Sequence, residues 1–98
     1  NTYIANYQNE INEIQRNISE QEKKQQAADE LIQELNLKLN YAAGDEKSSI
    51  NSQIADVNKQ LIELNTKIQQ YKTQITEIQK NIIDYEAIKN AYAATGND

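Results

Sequence analysis

Four carboxylates stand as near neighbours in the first half of this chain, Glu20 with Glu22 and Asp29 with Glu30, and two serines, Ser48 and Ser49, follow Lys47. Paired carboxylates can divide general-acid and general-base work when a cleft drives their pKa values apart. A serine beside a lysine can serve as an activated nucleophile when an oxyanion site lies within reach. Each option needs a neighbour that this sequence withholds. There is no His to act as base and no Cys to act as nucleophile or soft metal ligand. With two glycines in all, a phosphate-cradling glycine loop is excluded. The expectation is therefore no catalysis, no catalytic, cofactor-binding or metal site, no cofactor and no small-molecule substrate.

The elements that would carry these residues are legible from spacing. In the second half, apolar residues fall at Ile50, Ile54, Val57, Leu61, Leu64, Ile68, Tyr71, Ile75, Ile78, Ile82 and Tyr85. The intervals alternate four and three without a miss. In the first half, Ile4, Tyr7, Ile11, Ile14 and Ile18 keep the same rhythm, which passes through Gln21, Gln25 and Ala28 and resumes at Ile32, Leu35 and Leu39. An average interval of 3.5 residues keeps one narrow seam facing a partner helix and implies a left-handed coiled coil. No Pro interrupts either run, and most remaining positions are Glu, Lys, Gln, Asn or Thr.

Between the two runs lies Asn40-Tyr-Ala-Ala-Gly-Asp-Glu-Lys-Ser-Ser49. Gly44 suits the left-handed residue past a helix end. Asp45 can cap the next helix, with Ser48 or Ser49 as the second choice, and Glu46 favours that helix's positive end. If the chain reverses between Gly44 and Asp45, facing residues have numbers that add to 89. Leu39 then meets Ile50, Ile14 meets Ile75, and every seam position of one arm meets a seam position of the other. A straight helix would need a one-residue slip and an interior Gly costing about 1 kcal/mol. The fold class is thus all-α, an antiparallel two-helix coiled-coil hairpin. Its helix 1 spans about 3–43, its turn about 44–45, its helix 2 about 46–92, and a frayed tail takes 93–98. Arms of roughly 40 residues should run about 60 Å.

Two helices give a thin core, and a scaffold this small usually needs a staple or a partner. Self-association into a four-helix bundle, or docking on another protein, would supply it. Candidate protein contacts are Leu31 and Ile62 on the shaft, at similar heights, and Tyr41, Asp45 and Glu46 at the tip. Leu37, Ile83 and Ile88 are further apolar residues off the seam. The weak stretch of the seam, Gln21, Gln25 and Ala28 against Ile68, Leu64 and Leu61, reads as a register-setting zone whose glutamines bend outward, or as a hinge or docking place for another helix. Tyr3, Tyr7, Tyr85 and Tyr92 crowd the open end, where an amphipathic ring suits a half-wet position.

Charge narrows the partners. The chain carries −5 with a pI near 4.7. Residues 1–44 contribute −3 and residues 45–98 contribute −2, so neither half is basic and no nucleic-acid partner is expected. Apolar runs are only a few residues long, which implies no membrane span. Amides dominate beside the seam, at Gln8, Gln15, Asn17 and Asn36 on one arm and Asn51, Gln53, Asn58 and Gln60 on the other, so charge pairing is not expected to fix arm orientation.

The chain resembles the secreted WXG100-type helical-hairpin proteins in length, acidity, lack of Cys and a glycine-bearing central turn. In it Tyr41-Ala-Ala-Gly44 stands where that family has Trp-x-Gly. It departs from the family in having no Trp, a turn one residue longer and no Tyr-x-x-x-Asp/Glu near the C-terminus, so the resemblance covers length and topology alone. The functional expectation is a non-catalytic structural or protein-interaction module. Beginning at Asn1 rather than Met, it reads as a coiled-coil arm excised or processed from a larger assembly protein, such as a phage structural or secreted bacterial protein. The alternatives are a free-standing secreted effector or adaptor and, less well supported without Trp or a cationic face, a membrane-active hairpin. Compartment is not legible.

Overall fold

A computed structural model describes residues 2–95 as two α-helices, α1 (Thr2–Leu39) and α2 (Asp45–Thr95), joined by residues 40–44. The molecule measures 79 × 14 × 13 Å. A five-residue connection forces the helices to lie side by side and antiparallel, and the hairpin is all-α. At 1.5 Å per residue, α1 is about 57 Å long and α2 about 76 Å. The arms are therefore unequal, where near-equal arms were expected.

Both helices owe their continuity to composition. Ala, Leu, Glu, Gln and Lys are good helix formers, and no Pro removes a backbone donor. Three threonines sit inside α2 without breaking it. Thr66, Thr73 and Thr76 each donate Oγ1–H to the carbonyl four residues back, at 3.0, 3.0 and 3.1 Å. That satisfies the hydroxyl inside the helix instead of in a competing turn.

The turn differs from the sequence expectation. Helix α1 stops at Leu39, not near residue 43. The amides of Asn40 and Tyr41 donate to the carbonyls of Leu37 and Lys38 at 3.2 and 3.1 Å, tightening the last turn. The alanines at 42 and 43 leave the helix in spite of their propensity, because the chain needs several residues to cross between two helix axes 8–10 Å apart. Gly44 has φ +61°, and its carbonyl accepts from Ser48 N–H at 3.4 Å. Gly44, rather than Asp45, thus holds the cap position of α2, and Asp45 is the first helical residue. The C-terminal end also differs. Helix α2 continues through Thr95, so residues 93–95 are helical, and 96–98 of the expected tail lie outside the described residues.

The two helices pack along the apolar seam. The rings of Tyr3 and Tyr85 meet with centroids 5.5 Å apart. Ile14 shares one groove with Ile78, and Ala28 shares another with Leu64, pairs whose numbers add to 92, three more than the register expected from the sequence. All 22 seam positions read from the sequence are buried or half-buried, and among the described residues only Asn17 and Ala42 join them. The most enclosed are Ile18, Gln21, Ala28, Leu35, Ile50, Val57 and Ile68, at 3–9 % exposure. Among the described residues no side chain is sealed below 2 %, as a core one residue wide on each helix dictates.

Candidate protein-contact surfaces

The chemistry-bearing residues lie on open surface. Glu20, Glu22, Asp29, Glu30, Ser48 and Ser49 are all exposed. The one described ion pair, Lys38 Nζ to Glu34 Oε1 at 3.7 Å, spans one turn of α1 between side chains about 60 % exposed. Such a pair contributes about 0.3–0.5 kcal/mol.

The tip residues lie on the connection and in the turn of helix that follows it. Tyr41 is 91 % exposed on the connection, and Asp45 and Glu46 lie in the first turn of α2, where the helix dipole favours their charge.

The shaft pair does not come together. Two grooves flank the seam on one side. One is lined by Glu10, Glu13, Asn17, Gln74, Glu77 and Asn81 around Ile14 and Ile78. The other is lined by Lys24, Gln60, Glu63 and Lys67 around Gln21, Ala28 and Leu64. Every one of these flanking residues immediately precedes a seam residue in its own helix. Residues that immediately follow a seam residue must occupy the opposite flank, because a helix turns about 100° per residue. Leu31 precedes Ile32, and Ile62 follows Leu61. They sit at similar heights but on opposite sides of the hairpin, so they cannot form one patch.

Sorting by flank also uncovers an asymmetry that sorting by halves conceals. On the preceding flank, α1 carries Glu10, Glu13, Glu20 and Glu34, and α2 carries Asp56, Glu63, Glu77 and Asp84. Lys24, Lys38 and Lys67 offset them to a net −5. On the following flank, Glu22, Asp29, Lys72 and Glu86 are the only charged residues among 22 positions, and 12 of those positions are Asn or Gln. This weakly charged flank, at a net −2, also carries Ile62 and Ile83, 69 % and 64 % exposed. The sequence held this signal in the residue after each seam position.

The weak seam is packed. Gln21 is only 5 % exposed and Gln25 half-buried, so Gln21 does not bend outward as expected. Among the described residues, no side-chain nitrogen or oxygen shut off from solvent lacks a hydrogen-bond partner. The Gln21 stem therefore packs without stranding its amide. At the open end the rings of Tyr3 and Tyr85 meet at a tilt of 47°, and α2 runs on to Thr95 with Ile88 and Tyr92 exposed. Neither helix is long and apolar enough to cross a membrane. Comparison with protein families, curated proteins and solved structures finds no match to this chain.

Proposed function

We propose that the chain is a non-catalytic protein-interaction module, a coiled-coil arm that holds contact residues at a fixed distance from its paired ends. The observation that supports this reading is the seam. Eleven layers spaced by threes and fours take up nearly all the burial, which leaves the flanks and tip for contacts. The neighbouring carboxylates Glu20, Glu22, Asp29 and Glu30 are exposed. The tip, with Tyr41, Asp45 and Glu46, is one contact point, and Leu31 and Ile62 mark two further ones on separate flanks.

A photo-crosslinking residue placed at Tyr41, Leu31 or Ile62, in cells that make the protein, tests this. The expected result is a defined protein adduct from at least one position, lost when Tyr41, Asp45 and Glu46 become Ala together or when the shaft residue in question becomes Ser. Circular dichroism should show the helices intact in those variants. Absence of protein adducts from all three positions, with the helices retained, overturns the reading.

A further inference from the structure

We infer that a second copy of this chain docks on the weakly charged flank, antiparallel to the first, with Ile62 of one copy against Ile83 of the other. The inference rests on the reading of the chain as an interaction module and names the partner of one surface.

Four observations converge on it. First, the hairpin is under-buried. Its accessible surface is 7370 Å², whereas a folded monomer of 11.2 kDa should expose about 5,700 Å². Second, the flanks are electrostatically unlike. The preceding flank, at −5, would repel a copy of itself more strongly than the following flank, at −2, which puts mostly amides, able to hydrogen-bond to one another, beside two exposed isoleucines. Third, that flank of α2 is self-complementary. Ile62 and Ile83 stand 21 residues apart, about 31 Å, with Gln69 and Thr76 spaced symmetrically between them. A two-fold axis beside Lys72 brings each Ile62 onto an Ile83 and each Gln69 onto a Thr76, as an isologous contact requires. Fourth, one half of the contact covers the least closed part of the core. From Ile4 to Ile14 on α1 and from Tyr71 to Tyr85 on α2, every seam residue is only half-buried.

The geometry supplies enough area. In this arrangement residues 2–31 of the two α1 helices overlap, a length of about 45 Å. Two helices side by side are roughly 20 Å wide, which gives about 900 Å² per copy. A stable interface of standard size needs about 800 Å² from each partner. The arrangement also sets Lys72 of the two copies face to face at the axis. The contact should therefore tighten when salt screens that pair, the reverse of an interface held by opposite charges.

The test is the mass of the 98-residue chain by equilibrium sedimentation, together with directed disulfides, since the chain has no cysteine of its own. Expected is a species of twice the chain mass whose dissociation constant rises more than about 100-fold in Ile62→Glu/Ile83→Glu. It should be little changed in Leu31→Glu and should fall in Lys72→Gln or at higher salt. Mixing Ile62→Cys chains with Ile83→Cys chains should give a disulfide-linked heterodimer, with little homodimer from either alone. A monomer at all concentrations up to about 1 mM, or a dimer indifferent to both isoleucines, overturns the inference. Predominant Ile62→Cys homodimers overturn the antiparallel arrangement. A monomer that still crosslinks another protein at its tip would leave the interaction-module reading standing while removing this one.

Discussion

The two halves of the hairpin are built on the same rhythm yet close differently. In the open half, the seam is wholly apolar from Ile4 to Ile14 and from Tyr71 to Tyr85, and all of it is half-buried. In the middle and tip half the seam includes Gln21, Gln25 and Ala28, yet this half holds Ala28, Leu35, Ile50 and Val57 at 3–8 % exposure and Gln21 at 5 %. Burial along the seam therefore does not follow apolarity alone, since Gln21 is more enclosed than Ile4, Ile11 and Ile14. The open half has the apolar surface and lacks a cover, while the closed half is covered although part of its seam is polar.

The largest effect should come from removing a side chain in the closed half. Leu35, at 3 % exposure, should cost roughly 2–5 kcal/mol when changed to Ala, through lost transfer energy and the cavity left behind. Ile11, half-buried, should cost less than half of that when changed to Ala in dilute solution. Urea unfolding followed by circular dichroism measures both. Equal losses would mean that the two halves are equally closed in solution. If the Ile11→Ala loss grew with protein concentration while that of Leu35→Ala did not, the open half would be the part covered by association.

The next effect has the opposite sign. Gln21→Leu should stabilise the hairpin by up to roughly 1.5–3 kcal/mol, the value of one fully buried leucine. Gln25→Leu should give less, because Gln25 is only half-buried. A fall in the melting temperature of Gln21→Leu would mean that its amide makes a hydrogen bond worth more than the leucine's burial.

How far the sequence was legible follows the same division. The hairpin, its antiparallel sense and its seam could be read because a 3.5-residue period is a property of neighbours along one chain, and the 89-sum register is arithmetic on that period. Three features escaped. The end of α1 at Leu39 depends on the crossing distance between two helices, which no local propensity contains; Ala42 and Ala43 would be helical in most other settings. The enclosure of Gln21, at 5 % exposure, depends on how its stem packs across the helix pair, which its polarity does not reveal. The separation of Leu31 from Ile62 follows from the direction in which each helix turns, and height along the shaft alone does not reveal it. Contact surfaces follow from exposure and charge, because spacing says little about which partner arrives.

The smallest expected effect lies at the tip, and it separates the turn from the seam as the source of the topology. Gly44 has φ +61°, and a Cβ built there meets nothing within 4 Å. Gly44→Ala should therefore cost only the strain of a left-handed alanine, about 1–2 kcal/mol, less than Leu35→Ala. Alanine also raises the helix propensity of residues 40–44, which invites α1 and α2 to run on as one straight helix. The seam opposes this, since a continuous helix would bring Ile50 into line only after a one-residue slip. If the seam dominates, Gly44→Ala carrying Ile14→Cys and Ile75→Cys should still oxidise within one chain, as the same cysteines should with Gly44 in place, because the register expected from the sequence sets both positions at one level. Disulfide-linked dimers in place of the intrachain bond, appearing only in the Gly44→Ala background, would show that one left-handed residue, rather than eleven packed layers, decides that this chain folds back.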